Sequence, residues 1–472
     1  MNVRTFPGGA HPPENKSLSE NLPIEAFPAP EELLVPFSQH IGAPAVPTVK
    51  PGDDVLVGQL VGQAGGFVSC NVHSPVSGKV KRIVKVRHPL GHKVDAALIA
   101  NDGNYKKAEG VGEERANWLG VSAKEIIDAV QEAGIAGMGG AAFPTHVKLA
   151  PPPSKPIDTV ILNAAECEPY LTCDCRLLLE RTADVVEGLK LILRALTPEN
   201  TPPNKLKGIV AVEANKKEAY GKVSALLAGK TNLSVVLMPV KYPQGAEKQL
   251  IKTVLGRDVP PLSQGGLPMD VGVVVQNVGT AIAVYEAVRY RKPLYERVLT
   301  VTGDGVEKPG NLLVRIGTPV EKILHARGLK PSTRRVISGG PMMGIAVSDL
   351  SLPVAKGTSG IVALTSAEHW DVLPCISCGA CVRHCPMRLI PSKYSTLGEA
   401  GRYEETEAWN VVDCIECGVC TYVCPSKRPI VQHVKVGKSV VLPLIRARAQ
   451  LEKEQKTEAE KRPKTVIMKG GE

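Results

Sequence analysis

Aromatic residues are scarce. They make up 4% of the 472 residues, with 5 Phe, 3 Trp and 10 Tyr. That leaves little surface on which the bases of single-stranded nucleic acid could stack. No apolar run approaches the roughly 18 residues that span a bilayer, so no direct membrane span is expected. The opening stretch MNVRTFPGGAHPPENK has no apolar signal core, which points to a cytosolic chain. A reducing compartment argues against a disulfide framework. What is present is more telling. Apolar residues reach 43%, enough for sizeable cores and against general disorder. The length suits about three to four domains. The net charge of +10 is open to nucleic acid, an anionic membrane surface or no charged partner at all, and the lack of aromatics speaks against nucleic acid. Twelve cysteines then require an explanation other than cross-linking.

The pattern changes along the chain. Residues 1–35, rich in Pro, Gly and Glu, read as an extended arm. Residues 36–105 hold short Val/Ile runs broken by Gly, with strands expected at 54–57, 66–70 and 78–86. Here PGDDVLVGQLVG followed by HSPVSGKV resembles the biotinyl/lipoyl barrel-sandwich family. That family carries its cofactor on a lysine in a tight turn. The corresponding turn lies near Phe67 and has no lysine, so a docking or spacer module is expected. Residues 118–290 alternate helix and strand: helix 121–134, strand 159–166, helix 185–196, strands 208–214 and 233–240. This is an α/β domain with a mostly parallel sheet. Residues 298–350 return to β, and VLTVTGDG through RRVISGGPMMG resembles the SLBB β-grasp family. Residues 365–435 hold the cysteine repeats. The tail, 436–472, offers a helix over 442–454 and then a frayed Lys/Glu stretch. The fold expected is a multidomain α/β plus β chain with a helical two-cluster ferredoxin-like domain.

Eight cysteines fall in two copies of one pattern. Cys375, Cys378, Cys381 and Cys385-Pro form the first; Cys414, Cys417, Cys420 and Cys424-Pro form the second, each 39 residues after its counterpart. This is the spacing of bacterial two-cluster ferredoxins, in which the fourth cysteine ligates the other cluster. One [4Fe–4S] cluster is therefore expected on Cys375, Cys378, Cys381 and Cys424. The second is expected on Cys414, Cys417, Cys420 and Cys385. Zinc, which favours paired C-x2-C tetrahedral sites, fits the triplets poorly.

A glycine-rich loop follows helix 121–134, with Gly134, Gly137, Gly139 and Gly140, then Phe143 and Lys148. It does not open a helix after a strand, so it is not a Rossmann fingerprint. Its amides can still face a phosphate or a flat ring. Strand 159–166 then runs into Asn163, Glu166, Cys167 and Glu168, an acidic cluster at the end of a strand, where open α/β sheets place ligands. These two segments resemble the flavin- and NADH-binding subunit of respiratory complex I. With GGAHPPENK, SQHIGAP at 38–44, HSPVSG and the double cluster motif, they resemble the RnfC family, one of the components of the Rnf ion-translocating ferredoxin:NAD oxidoreductases.

The resemblance implies FMN and NAD(H). It puts Gly134, Gly137, Gly139 and Gly140 near both, Phe143 as a stacking face and Lys148 on phosphate. It puts Asn163, Glu166 and Glu168 on the flavin's polar edge and ribityl chain. Gly245 and Glu247 match a turn beside the nucleotide, and Asn277 and Thr280 a segment near the FMN phosphate. The chain departs from complex I at Met138, Ala165 and Ala246, which weakens the flavin contacts. Cys70, Cys167, Cys173 and Cys175 match no cluster spacing and read as structural, as do His11, His40, His73 and His146. A flavin joins two-electron hydride transfer to one-electron clusters. The path expected is NAD(H), FMN, two [4Fe–4S] clusters, then a partner, with no catalytic acid or base. The Rnf resemblance implies membrane-embedded and ferredoxin-like partner subunits and a peripheral place on the cytoplasmic face. Two other readings stay open on the residues: a soluble cobalamin reductase of a microcompartment, and a non-catalytic electron wire or scaffold.

Overall fold

The computed structural model describes residues 4–88, 91–198, 205–367 and 370–461. They form two compact units that divide after residue 369. No helix among the described residues is long and apolar enough to cross a membrane.

In the first unit, the barrel-sandwich pairs two small antiparallel sheets. One has the order Glu32–Pro36, Lys93–Asn101, Gly78–Arg87, Asp54–Val55; the other Val46–Pro47, Leu60–Gln63, Val72–His73. Inward Leu33, Val35, Val61, Val80 and Ile99 fill the space between them. Two expectations change here. The end of the arm is a strand, because the apolar run that follows Glu32 pairs with Ala96–Ala100. Residues 66–70 are a turn, not a strand, and Phe67 stands on it 77% exposed.

The α/β domain carries a four-stranded parallel sheet ordered Leu233–Met238, Lys207–Glu213, Thr159–Ala164, Val273–Asn277. In chain order that is 3-2-1-4, so the winding reverses between Thr159–Ala164 and Val273–Asn277. A crevice opens at the carboxyl ends of the strands at such a switch point. Helices Ala123–Glu132, Thr182–Leu196 and Val278–Tyr290 cover one face and share its core. The first is closed at its start by a Ser122/Glu125 capping box, which satisfies orphan amides reciprocally.

The fourth sheet has six strands, and its two central strands are Gly360–Leu364 and Glu296–Thr302, parallel to each other. The β-grasp sheet thus draws on chain beyond residue 350. Its edge is Ile24–Ala26 of the arm, parallel to Gly310–Arg315. In the second unit, helices Pro391–Glu399 and Ile430–Lys461 pack around Tyr394, Val411, Val434 and Val441. The last helix begins twelve residues before the expected 442 and runs through Pro443. Its first turns are held by packing against the cluster core rather than by propensity.

Candidate cofactor sites

Backbone conformation repeats with the cysteines. Ser377 and Glu416, Gly379 and Gly418, and Arg388 and Lys427 are matching pairs, all with positive φ. A one-turn helix follows each glycine, Ala380–Arg383 and Val419–Tyr422. This frame curls three cysteines of each repeat round one space and sends the fourth across. One cavity is lined by Cys375, Cys378, Cys381 and Cys424, together with Ser377, Lys393, Ser395 and Arg428. The other is lined by Cys385, Cys414, Cys417 and Cys420, with Leu389, Tyr394, Val419, Val431 and Val434. The first is polar, and Cys375 and Cys378 are exposed; the second is apolar and mostly buried. Burial pushes the Cys414 thiol up to about 11 and Cys417 to about 12. Four convergent sulfurs in each cavity suit a cubane, and its iron would supply the charge that buried thiolates need.

In the first unit, the glycine loop is a pinched hairpin. Ala136 bridges Pro144, and the Gly137 amide donates to the Phe143 carbonyl at 2.8 Å. Gly134 ends the preceding helix with φ 64°; a Cβ there would strike the Asn71 carbonyl at 2.2 Å. Gly134 and Gly137 therefore build the loop. Gly139 and Gly140 form its exposed tip, and Gly140 (φ 98°) has nothing within 4 Å of where a Cβ would stand. Asn277 lies 3.5 Å from the corresponding point on Gly139, so the tip sits at the switch-point crevice. Asn277 caps helix Val278–Tyr290 by accepting from the Gly279 and Thr280 amides. The Thr280 hydroxyl accepts from the Met138 amide at 2.9 Å and so holds the loop.

The other expected residues divide the same way. Asn163 donates to the Gly245 carbonyl at 2.8 Å, joining the two loops. Glu166, at φ 47°, accepts from the Asp174 and Cys175 amides. Glu168 reaches across to the β-grasp turn, where it accepts from the Met342 and Met343 amides, and it also accepts from the Tyr242 hydroxyl of its own domain. Lys148 pairs with Glu247 and donates to the Val275 carbonyl. Phe143 is half-buried. Lys148, Glu168 and Thr280 are thus engaged within the protein. Polar capacity remains nearby: the buried side chains of Gln244 and Gln276 have atoms without a hydrogen-bond partner among the described residues. An open glycine tip and spare buried amides fit a phosphate-bearing, polyhydroxylated group such as FMN.

Four supports are not legible as site residues in the sequence. Lys16 of the arm is buried, and its ammonium donates to the Glu166, Glu168 and Leu171 carbonyls, fixing the acidic loop from behind. Burial lowers its pKa. Lys356 donates to the Asn71 and Gly134 carbonyls, and Arg297 to those of Lys356 and Met138. Asp174 lies in a half-buried group with Glu166 and the buried Cys173. Burial, then the Glu166 charge, raises its pKa to about 7. Lysine and arginine normally read as surface residues, so three of the four give no signal.

Known proteins are similar to this chain over most of its length. The C subunit of the proton-translocating ferredoxin:NAD(+) oxidoreductase complex of Clostridium ljungdahlii is 47% identical over 93% of this chain and 94% of its own. The C subunit of the Na(+)-translocating complex of Acetobacterium woodii is 43% identical over 94% and 98%. The chain belongs to the RnfC family. Within that family frame, residues 130–286 match the Nuo51 FMN-binding domain, 4–104 the RnfC barrel sandwich hybrid domain, 298–346 the SLBB domain and 374–428 the 4Fe–4S dicluster domain. The fold class, the [4Fe–4S] clusters expected from the cysteine spacing and the FMN implied by the resemblance stand. The cobalamin-reductase reading falls away, since RnfC relatives cover almost the whole chain. Among solved structures, the NAD+-reducing [NiFe]-hydrogenase in the air-oxidized state aligns at 22% identity and TM-score 0.45, over 61% of this chain and 54% of that one.

Proposed function

We propose that this chain is the NAD(H)-reactive peripheral subunit of a membrane-bound, ion-translocating ferredoxin:NAD(+) oxidoreductase, placed on the cytoplasmic face among membrane-embedded and ferredoxin-like subunits. The observation that carries the reading is the presence in one chain of a nucleotide-type crevice and a crossed pair of four-cysteine cavities. FMN supplies the step between hydride and single-electron chemistry. Gly139, Gly140, Asn163, Glu166 and Asn277 line the crevice in which it would bind, and Gly134, Gly137, Gly245 and Thr280 shape that crevice. Lys148 and Glu247 form an ion pair at its edge that a phosphate could open. The eight repeat cysteines hold the two clusters. Electrons reach a partner through the cavity of Cys375, Cys378, Cys381 and Cys424, which is the more exposed. Apolar Trp370, Val372, Leu373 and Ile376 are exposed on the adjoining chain, as a docking surface requires.

The test is anaerobic purification followed by acid release of flavin and an NADH:ferricyanide assay. FMN release and NADH-dependent reduction are expected. Absence of both would leave an electron wire and overturn the reading. Membranes washed in low salt should retain the chain and release it in chaotrope. Complete recovery in the unwashed soluble fraction would remove the docked placement.

A further inference from the structure

The tip of the barrel-sandwich is clamped onto the glycine-rich loop. The Ile41 amide donates to the Ala142 carbonyl at 3.1 Å. The Phe67 carbonyl accepts from the ring of His146, in the short helix that also carries Lys148. The Cys70 thiol donates to the Ile135 carbonyl, and the Asn71 side chain to that of Glu132 at 3.2 Å. Lys356 ties the Asn71 and Gly134 carbonyls to each other. A swinging carrier needs a free tip, and this one is bolted at both edges. It also keeps two large apolar side chains in solvent, Phe67 at 77% exposed and Ile41 at 53%. Both flank a loop whose own tip, Gly139 to Ala141, is exposed. In a chain with 5 Phe, one held rigidly in water beside a ligand crevice has a binding cost to recover.

Hydride transfer decides which part of the ligand meets it. The nicotinamide must meet the flavin at near-contact distance, and Asn163 and Asn277 would hold that flavin at the switch point. The other ring of an extended dinucleotide then points outward, past the glycine tip. We propose that Phe67, with Ile41 at its side, is the stacking wall for the adenine ring of NAD(H), which makes the barrel-sandwich part of the nucleotide site and not only a spacer. This rests on the NAD(H) reading above.

The test uses the full, anaerobically purified, flavin-loaded chain and two hydride donors, NADH and reduced nicotinamide mononucleotide, which lacks the adenosine half. Phe67→Ala should raise KM for NADH roughly five- to 150-fold, the range of base stacking on an aromatic ring. The kcat, the flavin content and the KM for the mononucleotide should stay as in the native chain. Phe67→Trp should restore the NADH value. An unchanged KM for NADH in Phe67→Ala, or an equal rise for both donors, would overturn the proposal while leaving NAD(H) chemistry intact. If the native chain oxidises neither donor, the NAD(H) reading itself fails and this proposal with it.

Discussion

The two cofactor regions are built on opposite plans. The cluster ligands all lie between residues 375 and 424, and local spacing places them. The nucleotide crevice is gathered from the whole first unit: the arm at Lys16, the loop at Gly134–Gly140, strand ends at Asn163 and Asn277, and supports from Arg297 and Lys356. The first is a set of inward thiols that only a metal can hold together. The second is a set of loops held by buried cations, each satisfying carbonyls that would otherwise be orphaned. A site of the first kind should fail when one ligand is lost, and one of the second kind when a remote support is lost.

The largest expected effect comes from the crossed cysteines. Cys385→Ala should remove the cluster of Cys414, Cys417 and Cys420 and spare the one in its own repeat. Iron per chain should fall by about half, one of the two reduced-cluster EPR signals should vanish, and flavin content should hold. Loss of the cluster on Cys375, Cys378 and Cys381 instead would break the assignment. Next, Lys16→Met leaves three carbonyls behind the acidic loop unpaired, a cost on the order of 3 kcal/mol. Flavin occupancy and the melting temperature of the first unit should drop while both cluster signals remain; a variant that keeps its flavin would show that the crevice does not depend on the arm. The smallest effect concerns Asp174, whose pKa is raised to about 7 by burial and by Glu166. In the native chain this carboxyl holds its proton to higher pH than it would unfolded. Stability is therefore lost as pH rises from the ordinary carboxyl range through 7. Asp174→Asn should flatten that slope between about pH 4 and 7 in thermal melts. An identical slope in the variant would assign the titration elsewhere.

The same difference explains what could be read in advance. The cluster ligands, the helix at Ala123–Glu132 and the parallel strands are local signals of spacing, capping and apolar runs, and each lies within a short window of residues. The jobs of individual crevice residues do not. Glu168 looks like a ligand in the motif, yet its carboxylate is spent on the turn at Met342 and Met343, 174 residues away. Gly137 looks like an open amide and is closed by Phe143. The arm looks free because its partners, Leu313 and Ala100 among them, are distant in sequence. The central position of Gly360–Leu364 follows from pairing with Glu296–Thr302, which no local window contains.

One consequence of the crossed fourth cysteine concerns symmetry. Each repeat taken alone has three ligands facing inward and one, Cys385 or Cys424, facing a neighbour. A single copy could complete a site only against a second copy of itself, with each lending its outward thiol to the other. That reciprocal exchange is the contact pattern of a two-fold homodimer. The two cysteine segments make that exchange within one polypeptide, which leaves their pockets free to differ: the one with Lys393 and Arg428 has charged side chains in its lining, and the one with Val419 and Val434 is apolar.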